Sequence, residues 1–341
     1  MKVITFGEIL LRLASPGYTK LFQKDSLDAT FCGSEANVAV SLANFGLESS
    51  YVTKVPDNEV GYAAVNSIRY FGVDISHVSF GNGRMGLYYL EKGASQRPSK
   101  VIYDRAYSAI SMASPDDFEW DNIFDDADWF HWTGITPALS DSAAKICKEA
   151  CEAAKRKNIV ISCDLNYRKN LWSSDRAKEV MSKLIPYVDI CVANEEDADM
   201  VLGIKPNDND VESGKLNKRG YEYVARRICE EYGCKKVAVT LRESYSASVN
   251  GWSAMLYDHD ESKAYFSRKY DIYIVDRVGG GDSFTAGLIY SLAIGNDNQD
   301  SIEFAAAASC LKHTIEGDFN RTTVAEVVNL IRNGGNGRVI R

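Results

Sequence analysis

VDRVGGGDSFTAGLIYSLA, at residues 275–293, places three consecutive glycines directly before a helical segment rich in small residues. Gly279, Gly280 and Gly281 allow the backbone to pass close to a ligand and to turn its N–H groups toward it. The dipole of the following helix adds positive potential at the same point. The stretch therefore predicts an anion-binding turn at the start of a helix, with Asp282 beside the bound group.

Asp282 has two interpretations. A bound phosphate would repel its carboxylate, so the residue needs a purpose there, and accepting a proton from an attacking hydroxyl is a suitable one. Alternatively, Asp282 caps the helix, for which Asp is a favoured residue. The stretch leaves both interpretations open. It is not a Walker A loop, since Gly-x-x-x-x-Gly-Lys-Ser/Thr is absent, and the dinucleotide fingerprint Gly-x-Gly-x-x-Gly fails at Phe284.

Outward from this stretch, short apolar strands alternate with helical segments over most of the chain. Continuous β-branched runs are typical of parallel strands covered by helices on both faces, and the alternation predicts a doubly wound α/β sheet. The predicted core strands are Lys2–Phe6, Ser50–Val55, Trp129–Thr133, Val160–Asp164, Ile190–Ala193 and Lys236–Thr240. The predicted helices are Glu35–Phe45, Val60–Tyr70, Ser142–Lys157, Ser174–Leu184, Lys218–Glu231, Asp282–Ala293, Ser301–His313 and Val324–Arg332. The glycines predicted to end helices are Gly46, Gly72, Gly233 and Gly295.

Two stretches interrupt the alternation. Leu10–Phe31 offers no good helical face, and Met85–Ile110 has the pattern of strand, turn and strand. Both are expected to form antiparallel strands set apart from the main sheet. They are either surface decoration or a lid that excludes water from a binding site, and we favour the lid.

The length of 341 residues suits one large α/β domain or two ordinary ones. We expect a single domain over residues 1–332, with the lid segments near 10–32 and 83–110. Pro206–Asn217 is predicted to be a polar, charged loop, and residues 333–341 a flexible tail.

Charge and composition argue against several classes of protein. The net charge of −8, a pI near 5.2 and the lack of a basic run are unlike a nucleic-acid-binding protein. No window has the length of a membrane span, and the N-terminus lacks a secretory signal, so we expect a cytoplasmic protein with no membrane partner. The eight cysteines include no Cys-x-x-Cys and the four histidines are scattered, which predicts free buried thiols and no structural metal.

The wider pattern resembles the PfkB (ribokinase-like) family of carbohydrate kinases. The C-terminal signature of that family, Asp-Thr-x-Gly-Ala-Gly-Asp-x-Phe, is matched by residues 276–284, with Gly280 in place of Ala and Arg277 in place of Thr. The N-terminal signature is matched by CGSEANVA at residues 32–39 through Gly33, Ala36, Asn37 and Ala39. Two signatures in the correct order are more specific than either alone.

This resemblance implies a ribokinase-like three-layer α/β/α sandwich with a mainly parallel central sheet and a small β-strand lid. It also implies an ATP-dependent kinase that uses Mg²⁺, with Asp282 as the general base and the backbone of Gly279–Asp282 as an anion hole. Gly33 and Asn37 are implied to contact the sugar. Without the family, Asn37 would be read as an ordinary polar residue in a helix.

The predicted hairpin at residues 86–105 resembles the branch of the family that phosphorylates 2-keto-3-deoxygluconate, a sugar acid. That branch carries substrate contacts at the positions of Tyr88, Tyr103 and Arg105. An arginine with tyrosine hydroxyls is a suitable receptor for a carboxylate. In an isolated hairpin the same residues would be read as a surface arginine beside strand-stabilising tyrosines.

Further matches fall at the ends of predicted strands, where ligands bind in open α/β sheets. By resemblance, Arg168 reaches between substrate and phosphate. Asp197 replaces the Glu of the family's Asn-x-x-Glu motif and is one methylene shorter, so it is expected to order magnesium through water. Arg242 replaces a glycine of the family pattern. The implied ATP contacts are Asn166, Arg168, Asn194, Thr240, Gly279 and Gly281.

The implied reaction converts ATP and 2-dehydro-3-deoxy-D-gluconate into the 6-phosphate and ADP. The alternatives are a family kinase for fructose or a nucleoside, disfavoured by Arg105, and a non-catalytic sugar sensor, disfavoured by Asp282 and its glycines. A dehydrogenase is disfavoured because no dinucleotide fingerprint follows the first strand. Exposed lid strands invite pairing between subunits, so a homo-oligomer is expected.

Overall fold

The computed structural model describes residues 1–205 and 218–334, apart from the side chain of Glu195. The predicted loop Pro206–Asn217 and residues 335–341 of the predicted tail lie outside the described residues. The first two residues of that tail are described: Asn333 ends the last helix, and Gly334 follows it in a left-handed conformation with φ 69°.

The strands of the described chain belong to two sheets, a large and a small one. In chain order they are β1 (Lys2–Phe6), β2 (Leu10–Ala14), β3 (Asp28–Cys32), β4 (Glu48–Pro56), β5 (Val78–Gly81), β6 (Gly86–Glu91), β7 (Lys100–Asp104), β8 (Trp129–Thr133), β9 (Val160–Asp164), β10 (Ile190–Ala193), β11 (Lys236–Ser244), β12 (Val249–Asp258), β13 (Lys263–Phe266) and β14 (Tyr270–Tyr273). The large sheet runs β13-β12-β11-β10-β9-β8-β1-β4-β5, with β14 also paired to β12. Neighbouring strands from β5 across to β11 pair in parallel.

Helices cover both faces of the large sheet. They are α1 (Ser34–Asn44), α2 (Glu59–Arg69), α3 (Trp120–Ile123), α4 (Ile135–Ala138), α5 (Asp141–Arg156), α6 (Ser174–Leu184), α7 (Glu195–Asp197), α8 (Lys218–Tyr232), α9 (Gly280–Ala293), α10 (Asn298–Lys312) and α11 (Val324–Asn333). Helices α5, α6 and α8 pack in one buried apolar cluster, and α1, α9, α10 and α11 in another. The predicted three-layer sandwich with a mainly parallel sheet is confirmed.

Helix α5 illustrates why these segments become helices. Ser140 precedes it, and its side chain accepts a hydrogen bond from the backbone N–H of Ala143, which satisfies one donor of the first turn. The buried residues recur at helical spacing, so one face is apolar and the other carries Lys and Glu side chains. The buried residues of α5 are Ala143, Ile146, Cys147, Ala150, Cys151, Ala153 and Ala154.

The antiparallel edge formed by β12, β13 and β14 was not predicted from the sequence. Nine of the ten residues of β12 are buried, from Asn250 to Asp258. Because both faces of this strand are covered, and because small and polar residues interrupt its apolar ones, neither an alternating pattern nor a continuous apolar run marks it.

The small sheet has the order β3-β2-β6-β7 and is built from the two stretches predicted to stand apart. Within each stretch the strands are antiparallel, as predicted. The stretches join through β2 and β6, however, and this pair is parallel. The prediction of antiparallel strands is therefore right for each hairpin and wrong for the junction between them.

The four glycines predicted to end helices and the eight cysteines agree with the sequence predictions. Gly46, Gly72, Gly233 and Gly295 all follow helices in the left-handed region, with φ from 80° to 91°. All eight cysteines are buried and free of disulfides, as predicted. No helix in the described part of the chain has both the length and the apolar character of a membrane span.

Candidate active site

A cleft of about 980 Å³ lies between the carboxyl ends of the parallel strands and the small sheet. Ligands of open α/β sheets bind at this edge. All of the sequence-predicted site residues line the cleft except Gly280, whose neighbours in the turn do so. Those lining it are Gly33, Asn37, Tyr88, Tyr103, Arg105, Asn166, Arg168, Asn194, Asp197, Thr240, Gly279, Gly281 and Asp282.

Asp282 is the third residue of α9, and its carboxylate points away from its own helix toward the start of α1. Ser34 Oγ donates to Asp282 Oδ1 at 2.6 Å, and Asn37 Nδ2 donates to Asp282 Oδ2 at 2.6 Å. The residue at the N-terminal cap is Gly279, and no side chain caps this helix. The capping interpretation of Asp282 is therefore wrong.

Ser34 was missed by the sequence reasoning. Its hydroxyl accepts a hydrogen bond from Asn166 Nδ2 at 3.0 Å while it donates to Asp282, so it joins the end of β9 to the carboxylate. The signal was present, because positions 34 and 37 are separated by three residues and lie on the same face of a helix. Asn166 takes a left-handed conformation with φ 41°, which Asn adopts more readily than most residues.

The environment of Asp282 favours the protonated form of its carboxyl. Asp282 is half-buried at the wall of the cleft, and removal from water raises its pKa above the usual value. The hydrogen bonds from Ser34 and Asn37 oppose this rise, the negative charge of Asp318 adds to it, and the cation of Arg168 opposes it. A carboxyl group with a raised pKa is better suited to accept a proton than an ordinary aspartate.

The glycine turn packs against the segment that follows α10. Gly279 has φ +81°, and a Cβ placed there would overlap the carbonyl oxygen of Asp318. A Cβ at Gly280 would overlap the ring of His313. Gly281 has no neighbouring atom within 4 Å of its Cβ position and faces the cleft. Two of the three glycines are thus required by packing, whereas the third leaves the backbone open to a ligand.

Buried charged side chains pack beside the glycine turn. Arg12, which is 2% exposed, pairs with Asp318 and also with Asp276, whose Oδ2 lies 2.7 Å from Arg12 Nη2. Lys312 has no exposed surface, and its Cε lies 3.2 Å from the Cβ position of Gly279. Burial lowers the pKa of the Lys312 ammonium, and the carboxylates of Asp276 and Asp318 oppose this change. Two buried cations and two buried carboxylates therefore lie close to one another beside the turn.

Two of the predicted substrate residues are engaged with the protein itself. Tyr88 is buried, and its hydroxyl donates to Asp318 Oδ2 at 2.7 Å. Arg105 is also buried and donates through Nε, at 2.7 Å, and through Nη2 to Glu8 Oε2. Glu8 lines the cleft too, so it offsets the charge of Arg105 at the position predicted to receive a carboxylate. Tyr103, which is 37% exposed, presents its ring within 5.4 Å of the Arg105 guanidinium.

The opposite part of the cleft contains carboxylates close to one another. Asp197 is buried and accepts a hydrogen bond from the Tyr167 backbone N–H at 3.0 Å. Burial raises its pKa to about 6, against the effect of Arg168. Burial also raises the pKa of Asp164, and the negative charges of Asp197 and Asp282 raise it further. Asn194 precedes α7, and its Oδ1 accepts from the Asp197 N–H at 2.8 Å.

Comparison with known proteins agrees with this arrangement. The model of the pfkB family of carbohydrate kinases matches residues 2–320 of the chain. The chain belongs to this family. A 2-dehydro-3-deoxygalactonokinase from Haloferax volcanii is 31% identical over 336 residues, which cover 98% of each chain. The ribokinase-like fold and the class of enzyme predicted from the sequence are thereby confirmed, and the chain is a sugar kinase.

Two further relatives of this PfkB kinase are named for a related activity. A 2-dehydro-3-deoxygluconokinase from Thermoproteus tenax is 29% identical, over 93% of this chain and 90% of the relative. The crystal structure of a 2-dehydro-3-deoxygluconokinase from Thermotoga maritima is 49% identical and has a TM-score of 0.93, covering 98% of this chain and 100% of that one.

Glu35 is a buried carboxyl of this PfkB kinase that the sequence did not single out. Its Oε1 accepts hydrogen bonds from the Thr133 N–H and hydroxyl and from the Thr136 hydroxyl, at 2.7 to 3.1 Å. Burial raises its pKa to about 7, against the effect of these bonds. A folded state with a raised acid pKa binds more protons than the unfolded state, so the free energy of unfolding falls as pH rises between the two values.

Glu35→Gln is expected to remove this pH dependence. The pH window of this dependence runs from the ordinary glutamate pKa of 4.5 to the raised pKa of about 7. Since one pKa unit corresponds to 1.36 kcal/mol, the wild type should lose roughly 3 kcal/mol across it relative to the variant. Urea unfolding at about pH 5 and about pH 8 measures the difference. The control is Glu149→Gln on the exposed face of α5, which should retain the wild-type slope; an equal slope in Glu35→Gln would contradict the prediction.

Proposed function

We propose that this kinase transfers the γ-phosphoryl group of ATP to the 6-hydroxyl of 2-dehydro-3-deoxy-D-gluconate. The observation that carries the proposal is the position of the Asp282 carboxylate, which faces a cleft directly beside the glycine turn. Another wall of the cleft carries Tyr103, on β7 of the small sheet, and Arg105, which directly follows that strand. The names of the relatives support a keto-deoxy sugar acid as the substrate, since each acts on a 2-dehydro-3-deoxy acid by name.

Asp282 acts as the general base in this proposal. Its two carboxylate oxygens are held by Ser34 and Asn37 from one side, so the carboxylate is fixed in orientation before the sugar binds. The remaining lone pairs of the oxygens are available to the sugar hydroxyl. As the hydroxyl oxygen attacks the γ-phosphorus, its proton passes to Asp282, and the bond from the γ-phosphorus to the leaving oxygen of ADP breaks.

The backbone N–H groups of Gly279–Asp282 stabilise negative charge that develops on the transferred group. They lie at the N-terminal cap and in the first turn of α9, where backbone N–H groups have no acceptor within the helix, and that of Gly280 donates to the Arg277 carbonyl oxygen at 3.4 Å. Arg168 lines the same cleft, and in the described chain it has no acidic side chain within the 4.0 Å limit of an ion pair. It is therefore free to contact both the phosphoryl group and the acid.

Magnesium fits the carboxylates on the other side of the cleft. The negative charge of Asp197 adds to the rise in the pKa of Asp164, and together with Asn194 these two carboxyls offer the oxygen ligands that Mg²⁺ prefers. We expect Asp197, assisted by Asp164, to hold the ion through water. Bound there, Mg²⁺ would neutralise phosphate charge during transfer.

The acid group of the substrate is held by Tyr103, Arg105 and Arg168, and Tyr88 and Gly33 complete the sugar pocket. A side chain at position 33 would overlap the carbonyl oxygen of Glu8, so glycine is required there by packing, and its backbone lines the cleft. Since Glu8 offsets the charge of Arg105, we expect Arg168 to supply the larger part of the attraction for the carboxylate.

A coupled ADP-release assay tests the proposal. The acceptors are 2-dehydro-3-deoxy-gluconate, its galactonate epimer, fructose and a nucleoside, each over a range of concentrations. We expect the two keto-deoxy acids to have the highest kcat/KM. Equal or better turnover of a neutral acceptor would contradict the proposed substrate, and absence of ADP release with every acceptor would contradict the proposed activity.

A further inference from the structure

Arg242 and Arg277 form a pair of cations that the proposed mechanism does not use. Arg242 lies on β11, and Arg277 lies two residues before the glycine turn. Both line the cleft. Arg277 Nη2 donates to the carbonyl oxygen of Ala247, at 3.2 Å, in the turn between β11 and β12. This bond holds the guanidinium of Arg277 on the same wall as Arg242.

The charge of this pair has no partner in the described chain. Neither arginine has a carboxylate within the ion-pair limit of 4.0 Å among residues 1–205 and 218–334, the side chain of Glu195 excepted. Burial lowers the pKa of Arg277, and the positive charge of Arg242 lowers it further. Two other arginines of the cleft have acidic neighbours: Glu8 pairs with Arg105, and the charge of Arg168 opposes the rise that burial causes in the pKa of Asp164, Asp197 and Asp282.

Two uncharged rings, those of Trp252 and His313, lie near the pair. Trp252 lies opposite Arg242 in the β11–β12 pairing, and its ring is 5.0 Å from that of His313. Burial lowers the pKa of His313 to about 4, and the charges of Lys312, Arg277 and Arg242 contribute to this shift. His313 is therefore neutral near pH 7. Two guanidinium groups that line one cleft without a carboxylate partner repel each other, and a bound anion would relieve that repulsion.

The position of the arginine pair in the cleft indicates which kind of anion it would bind. It lies on the wall that carries Thr240 and Asn250, next to the glycine turn, whereas Tyr103 lies on β7 of the small sheet and Arg105 directly follows that strand. An ATP molecule whose γ-phosphate rests on the turn can extend along the first wall and bring its inner phosphates to both arginines. A guanidinium group matches phosphate oxygens through paired N–H donors, and the two positive charges suit a polyphosphate better than a single carboxylate.

We propose that Arg242 and Arg277 form a subsite for the α- and β-phosphates of the nucleotide. This inference rests on the proposed function, because it takes ATP as the phosphoryl donor. The subsite adds two side-chain cations to the backbone N–H groups of the turn. These cations stand at two positions where the family pattern has Gly and Thr. It binds the donor and leaves the proton transfer to Asp282 unchanged.

Nucleotide titration without sugar tests the subsite directly. Purified protein is titrated in a calorimeter with Mg–ATP, Mg–ADP and AMP, using the wild type, Arg242→Gly and Arg277→Thr. We expect each substitution to weaken ADP and ATP binding by roughly tenfold, which corresponds to the loss of one charge-assisted contact. AMP, which lacks the β-phosphate, should lose less. The matched control is Arg268→Thr, an exposed arginine that pairs with Glu303 and does not line the cleft.

Kinetics separate the subsite from a structural role and from the proposed function. In the variants KM for ATP should rise while KM for the sugar acid and the unfolding temperature stay close to wild type. An unchanged ADP affinity in both variants, or an equal loss for AMP and ADP, would overturn the subsite alone. A rise confined to KM for the sugar would also overturn it. Wild-type protein that binds no nucleotide would overturn both the proposed function and the subsite.

Discussion

Asp282→Asn is expected to lower kcat by about 10²- to 10⁴-fold, the usual contribution of a general base. The amide that replaces the carboxylate has no basic oxygen to accept the proton of the sugar hydroxyl. The change is nearly isosteric, and the amide can keep both local hydrogen bonds, accepting from Asn37 Nδ2 and donating to Ser34 Oγ. Sugar binding should therefore remain close to wild type while turnover is lost.

The measurement combines kinetics with binding. ADP release gives kcat, and a calorimetric titration with the sugar acid gives its affinity for wild type and variant. Asp271→Asn, on the exposed surface of β14, is the matched control and should leave both quantities unchanged. Residual turnover above about one tenth of wild type would exclude Asp282 as the base, since the smallest contribution expected of such a group is about 10².

The pH profile gives an independent check on Asp282. The base must be ionised to act, and burial raises its pKa. The kcat/KM of the wild type should therefore fall as pH decreases through a value above the ordinary aspartate range. The residual activity of Asp282→Asn should lack this acidic limb.

Gly279→Ala is expected to impair both folding and catalysis. A residue other than glycine at φ +81° is strained, which costs about 1–3 kcal/mol, and the added methyl would also overlap the carbonyl oxygen of Asp318. Relief of that overlap must move the turn or the segment after α10. The backbone N–H groups would then no longer point at the proposed position of the phosphoryl group, so kcat should fall along with the free energy of unfolding.

Gly281→Ala provides the contrast for this prediction. It lies two residues further along the same turn, where an added Cβ has no neighbour within 4 Å, and it occupies the first turn of α9. Alanine there should leave the stability unchanged or raise it slightly. Urea unfolding of both variants measures the difference, and equal stabilities would contradict the assigned packing of Gly279.

The parallel core and the glycine turn could be predicted from the sequence because their signals are local. The predicted bounds of β1, β8, β9 and β10 agree with the structure, since each is a short and largely apolar run. The missed strand β12 has no such local pattern, because its burial depends on which elements happen to cover it.

The contacts of the site residues depended on distant parts of the chain. The sequence predicts that Arg105 lies in a binding hairpin, but its partner Glu8 is 97 positions away. In the same way, the hydrogen bond from Ser34 to Asp282 joins residues 248 positions apart. The family pattern indicated which residues share the cleft, while the charge balance between them is a property of the tertiary structure.

The ion pairs of Arg12 have a mechanical consequence for the small sheet. Arg12 belongs to β2 and Tyr88 to β6, yet both bond to Asp318, and Arg12 also bonds to Asp276 beside the glycine turn. Separating these groups would leave charges buried without partners, which is strongly unfavourable. Movement of the small sheet away from the glycine turn is therefore opposed by these buried bonds, whereas the exposed edge strand β7 takes no part in them.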